Sequence, residues 1–183
     1  MTTALILIDL QNDYFPGGTM ELYQADAAVA QAAVALENFR SRSLAVFHVQ
    51  HIAEEADATF FLPGTTGAEI HRAVHPIAGE PLVVKHFPNS FRETSLLEDL
   101  RAIGATHLVF VGMMTHMCVD TTVRAASDLG FECTLLHDAC ATKELQYSDV
   151  TVDARRVQAA YLAAIRDGFA KVESTKDWLD GKS

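Results

Sequence analysis

An aspartate, a lysine and a cysteine in this sequence each follow an apolar, strand-like run: Asp9 after residues 4–8, Lys85 after 81–84, and Cys118 after 107–111 and the loop GMMTHMC. A thiol becomes an effective nucleophile when a nearby ammonium stabilises its thiolate and a carboxylate takes its proton. Gathered in one place, the three would supply nucleophile, base and electrostatic stabiliser without a histidine. Each also has a plainer reading. Asp9 reads equally as a loop anchor or cap, Lys85 as a solvated charge, and a free cysteine as a small buried hydrophobe. The plainer reading is the better one for Cys133, inside a strand-like run, and for Cys140. Cys118 differs because it falls in the first turn of a helical segment. There the positive end of the helix dipole lowers a thiol pKa, and backbone N–H groups can receive an oxyanion.

The elements between these residues would bring them together. Short β-type runs at 4–8, 44–49, 81–84, 107–111, 132–136 and 170–172 alternate with helical segments at 26–42, 95–103, 116–129 and 150–167. This is the pattern of a parallel sheet covered on both faces. Gly104, Gly130 and Gly168 mark helix ends. The segment 116–129 carries Val119, Val123, Ala126 and Leu129 on one stripe, which would dock on the sheet. In open α/β sheets the functional crevice lies beyond the carboxyl ends of the strands, which is where Asp9, Lys85 and Cys118 fall. The connection 51–79, with at most one short helix near 68–73, is long enough to cover or line such a crevice.

Composition narrows the setting. The chain has 183 residues, 49% of them apolar, and a formal net charge of -10 from 14 Lys and Arg against 24 Asp and Glu. One domain over 1–183 is expected. The acidic balance disfavours nucleic acid as a partner. No apolar run reaches membrane-spanning length, and Asp9 interrupts the apolar start, so no signal peptide is read there. Three cysteines without a metal-ligand spacing fit free thiols in a reducing cytoplasm.

The segments LILIDLQNDYF, VVKHFPNSF, FVGMMTHMCVDTTVRAASDLGF and LLHDACAT, in this order and spacing, resemble the isochorismatase-like cysteine hydrolases over residues 4–169. The resemblance implies a three-layer α/β/α sandwich with a central, mostly parallel six-stranded, Rossmann-like sheet. It implies a catalytic triad of Asp9, Lys85 and Cys118, an oxyanion hole from the backbone N–H groups of Met114 and Cys118, and a non-proline cis peptide at Met113–Met114. It also implies hydrolysis of a small-molecule amide, carbamoyl compound or lactam, and a homo-oligomer, dimer or tetramer. Isochorismatases proper cleave a vinyl ether and typically lack the cysteine, so Cys118 points to acyl chemistry.

Nicotinamidase-type relatives bind a metal beside the triad through an Asp-x-His pair and a further histidine. Aligned on FHVQHI and GTTGAE, Gln50, Ile52 and Phe60 stand at those places. Isoleucine and phenylalanine cannot coordinate, so no metal and no cofactor is expected. His48 and His51, three apart near a strand end, should point to opposite faces; His71 and His75 lack a third ligand. Candidates for the substrate pocket are Gln11, Phe15, Phe60, Phe61, Asn89, Phe91, Thr115 and His116, whose aromatic members suit a flat or apolar molecule. Core or interface packing is the plain alternative for the phenylalanines, and a solvated helix-start position for His116. A phosphoacceptor signalling domain is disfavoured because Gln50 stands where the acceptor Asp would. No G-x-G-x-x-G or Walker sequence supports nucleotide binding.

Overall fold

A computed structural model describes residues 2–181. Six parallel strands form the central sheet: β1 (Thr2–Ile8), β2 (Ala45–His51), β3 (Leu82–Lys85), β4 (Ala105–Met113), β5 (Glu132–Ala141) and, after a two-stranded hairpin β6 (Leu145–Tyr147) and β7 (Val150–Val152), β8 (Lys171–Glu173). Their spatial order is β3-β2-β1-β4-β5-β8. The order reverses between β1 and β4, and at such a switch point the connections leave in opposite directions and open a crevice at the carboxyl ends. The six runs read from the sequence correspond to these six strands, in one parallel sheet as expected.

β1 is apolar on both faces because both are covered. Leu5 and Leu7 pack with α1 (Ala25–Ser41), while Ala4, Ile6 and Ile8 join a second core containing Leu96 and Leu100 of α2 (Leu96–Ala102) and Val123 and Ala126 of α3 (Asp120–Asp128). α1 buries Ala25, Ala28, Val29, Ala32, Ala35, Leu36 and Phe39, a spacing that turns one stripe to the sheet. Its alanines let the helix approach closely. Trp178 of the short α5 (Thr175–Leu179) stacks on Phe39, ring centroids 5.4 Å apart.

The structure corrects several boundaries. The last long helix does not begin near residue 150. Residues 145–152 form the hairpin, turned through Ser148 at φ 55°, and α4 (Ala154–Gly168) starts after Asp153, whose carboxylate caps the Arg156 N–H. Leu129 is exposed rather than docked. The helix expected over 116–129 opens instead as a π-turn, Thr115–Val119, before α3. In the long connection, two 3₁₀ turns, Thr66–Ala68 and Arg72–Val74, replace the one short helix. No helix among the described residues is long and apolar enough to cross a membrane.

Candidate active site

Asp9 follows β1 with φ at 50°, a left-handed conformation that Asp tolerates better than most residues. Lys85 is the last residue of β3, two strands away. Adjacent strands lie about 4.8 Å apart, so only a long side chain lying across β2 can reach Asp9 from there. The Lys85 ammonium ends 2.8 Å from Asp9 Oδ2, and both side chains are fully buried. Cys118 arrives from the other side, in the π-turn after β4, with its Sγ 3.2 Å from the Lys85 Nζ. Gly112 permits this approach: its φ is 140°, and a Cβ there would strike the Ile8 carbonyl. The Met113–Met114 peptide just beyond is cis. Met114 contributes its carbonyl to the turn, accepting from the Met117 and Val119 N–H groups.

Lys85 has three N–H donors and four acceptors within reach: Asp9 Oδ2 at 2.8 Å, His51 Nδ1 at 3.0 Å, the Phe87 carbonyl at 3.1 Å and Cys118 Sγ at 3.2 Å. Asp9 Oδ2 meets the ammonium as an ion pair, while Asp9 Oδ1 has no hydrogen-bond partner among the described residues and stays open to a proton. Burial works to lower the Lys85 pKa, but Asp9 and Cys118 outweigh it and hold the ammonium above its ordinary value. The Cys118 thiol moves the other way from the sequence expectation. Burial pushes its pKa well up and Asp9 adds to the rise, while Lys85 opposes it; the helix-start position does not prevail. Burial likewise raises Cys133 and Cys140 to about 12.

His51 was passed over in the sequence except as a metal candidate. It ends β2 and lies in register with Lys85 of β3. Together with Asp9 and Cys118 it forms the group of donors closest to a metal site among the described residues. The Lys85 ammonium already contacts all three, at 2.8, 3.0 and 3.2 Å, and so supplies the positive charge in their midst. His48, on the other face of β2, bonds Glu80 instead. Gln50 donates to the Ala68 carbonyl, His71 caps the Ala73 N–H, and His75 turns to the Pro76 carbonyl.

Of the expected pocket residues, all but Phe60 are engaged within the protein. Gln11 is fully buried, and its amide is used within the protein: Nε2 donates to the His51 and Ala68 carbonyls, and Oε1 accepts from the His51 N–H. Thr115 is also fully buried and donates to the Ala141 carbonyl. Phe15 stacks on His71, Phe61 packs edge-on against Tyr14, and Phe91 stacks on Phe131, so these rings fill the protein. Asn89 accepts from the Phe91 N–H as a loop brace, and His116 turns to Thr142, 2.5 Å away, and to Tyr161. Phe60 remains. It lines a cavity of about 380 Å³ with His51, His86, Phe87 and Pro88, so His51 and Phe87 join that cavity to the Lys85 contacts. A larger hollow of about 530 Å³ lies between α1 and α4, bounded by Tyr23, Arg155 and Gln158. None of Asp9, Lys85 or Cys118 lines either hollow; the smaller one touches their contacts through His51 and Phe87.

Residues 3–177 match the family model of the isochorismatase domain. The chain is 48% identical to the uncharacterised isochorismatase family protein YddQ of Bacillus subtilis (strain 168), over 98% of this chain and 99% of that one. The solved structure of a candidate isochorismatase hydrolase from Oleispira antarctica superposes with a TM-score of 0.95 at 46% identity, over 98% and 97% of the two chains. A streptothricin hydrolase of Streptomyces noursei is 32% identical over 78% of this chain and 50% of its own length.

Proposed function

Because the chain belongs to the isochorismatase family of hydrolases, we propose that it cleaves a C–N bond of a small amide, carbamoyl or lactam substrate through a thioester on Cys118. The observation that carries this reading is the buried Lys85 ammonium, 2.8 Å from the Asp9 carboxylate and 3.2 Å from the Cys118 sulfur. A thiol held protonated by burial needs a base that acts when substrate arrives. Asp9, whose Oδ2 is paired with Lys85 while Oδ1 is open, is that base.

In the proposed cycle Asp9 takes the thiol proton and Lys85 holds the new negative charge. The sulfur attacks the carbonyl carbon, and the backbone N–H groups of Met114 and Cys118 receive the oxyanion. The C–N bond breaks as protonated Asp9 gives its proton to the leaving nitrogen. Asp9 then draws a proton from water, the hydroxide oxygen attacks the thioester, and the proton returns to the departing sulfur. The sum is amide plus water giving acid plus amine, with the enzyme unchanged. No step requires a metal.

A screen of small amides, carbamoyl compounds and lactams for amine or ammonia release tests the reading. We expect turnover by the wild type and a loss of roughly 10³-fold or more in Cys118→Ala, as for an enzyme deprived of its nucleophile. Hydrolysis that survives this substitution would replace the thioester route with acid-base hydrolysis of the vinyl-ether type.

A further inference from the structure

His51 stands in register beside Lys85 on the neighbouring strand, half-buried, with Nδ1 3.0 Å from the Lys85 nitrogen. An ammonium has only donors and no lone pair. The contact is therefore a hydrogen bond only when His51 Nδ1 is unprotonated, which places the ring's single proton on Nε2. The main chain around this ring is fixed as well: Gln11 grips the His51 peptide through both its N–H and its carbonyl, each at 2.8 Å.

We infer that His51 is a positioning residue of the site, accepting a hydrogen bond from Lys85 through Nδ1 so that the ammonium stays between Asp9 and Cys118, and presenting Nε2–H to the adjoining cavity. The inference rests on the proposed role of Lys85 in thiol chemistry. Without His51, the fully buried ammonium would keep Asp9, the Phe87 carbonyl and Cys118 but lose the contact that fixes it on the β2 side. The side chain would then be free to leave the thiol for another partner. Gln11 acts one step further back, by holding the peptide that carries the imidazole.

The charged groups around the ring agree with a neutral imidazole at pH 7. Burial lowers the His51 pKa most, and Lys85 and His86 lower it further, while Asp9 and Glu55 oppose them. Cys118 faces the same ammonium as an uncharged thiol. Protonating His51 would set an imidazolium against the ammonium and break the bond, so the positioning is lost as pH falls below the ordinary histidine range.

Two measurements test this. The first needs no substrate: imidazole ¹⁵N shifts of the histidine-labelled protein near pH 7. The expected result for His51 is the Nε2–H tautomer, with an Nδ1 shift that moves when Lys85→Met removes the donor. A protonated Nδ1, or a shift indifferent to Lys85→Met, would overturn the inference.

The second follows hydrolysis of 4-nitrophenyl acetate against pH. His51→Asn can place an amide oxygen near the Nδ1 position, and His51→Leu cannot. We expect His51→Leu to lose roughly tenfold to a hundredfold in kcat, the range for a hydrogen bond to a charged group, with less change in KM. His51→Asn should recover most of that loss and lack the wild type's fall in activity on the acid side. A leucine variant matching the wild type, or an asparagine variant as impaired as the leucine one, contradicts the positioning role. Undiminished hydrolysis by Cys118→Ala contradicts the thioester reading instead, and the ¹⁵N result then judges His51 separately.

Discussion

Asp9 acts on Cys118 in two opposed ways, and one substitution separates them. Its negative charge disfavours the thiolate in the resting protein, yet it is the base the proposed cycle requires. In Asp9→Asn, Lys85 faces the sulfur without a competing anion, so the thiol pKa falls. Alkylation of Cys118 by iodoacetamide near pH 7 should therefore become several-fold faster, while turnover falls by roughly 10²–10⁴-fold with the loss of general base catalysis. Lys85→Met should slow the same alkylation, since Lys85 is what lowers the thiol pKa. Peptide mapping of the label over time checks both signs; slower labelling of Asp9→Asn would contradict this account of the charges. That Asp9, Lys85 and Cys118 meet was legible in the sequence, because each ends or follows a strand of one parallel sheet. Their protonation states were not, because burial outweighs the helix-start effect and depends on the whole core. His51 was missed because its place depends on strand register, which one strand read alone does not reveal.

At the scale of elements, the motif QND after β1 works as a staple for the connection that covers the site. Gln11 holds the Ala68 carbonyl, Asn12 the Thr66 carbonyl and Asp13 the Phe61 N–H, at 2.7, 2.8 and 2.7 Å. Gly67 belongs to the same device, since a Cβ there would strike the Asp13 carboxylate. Gln11, just after β1, reads as a pocket candidate in the sequence, but its amide is taken up by backbone groups 40–57 residues away, which spacing alone does not reveal. Asp13 is buried, so Asp13→Ala should cost about 1–3 kcal/mol of stability and make residues 51–79 the first to yield to limited proteolysis. Asn12→Ala, which loses an exposed bond, should cost under about 1 kcal/mol. Urea melts of the two variants check the ranking, and equal losses would count against the staple. The helix expected from 150 starts late for a comparable reason: residues 150–152 belong to the hairpin, whose turn depends on a left-handed Ser148, a position that glycine usually marks.

Across the whole molecule, the parallel sheet covered on both faces was the most readable feature, because strands alternate with helical segments along the chain. Long-range polar ties were not readable. Arg40 of α1 grips both carboxylate oxygens of Glu80 at 2.7 Å, and His48 of β2 bonds one of them. Burial alone would raise the Glu80 pKa, but Arg40, the Ile77 N–H and His48 outweigh it and bring it to about 2. The folded pKa lies below the unfolded value, so this stabilisation is complete above about pH 4.5 and is lost as pH falls towards 2. Its full size is of the order of 3 kcal/mol. Thermal melts from pH 7 to 3 should show the wild type losing stability faster than Glu80→Gln over the acid part of that range. Parallel curves would refute the assignment.

The central claim is that Cys118 carries the acyl group. Mixing the protein with 4-nitrophenyl acetate, quenching in acid within the first turnovers and mapping peptides by mass tests it most directly. We expect one acetyl group on the peptide holding Cys118, removed on longer incubation and absent from Cys118→Ala. Full hydrolysis by Cys118→Ala, or an acetyl group confined to another residue, would contradict it.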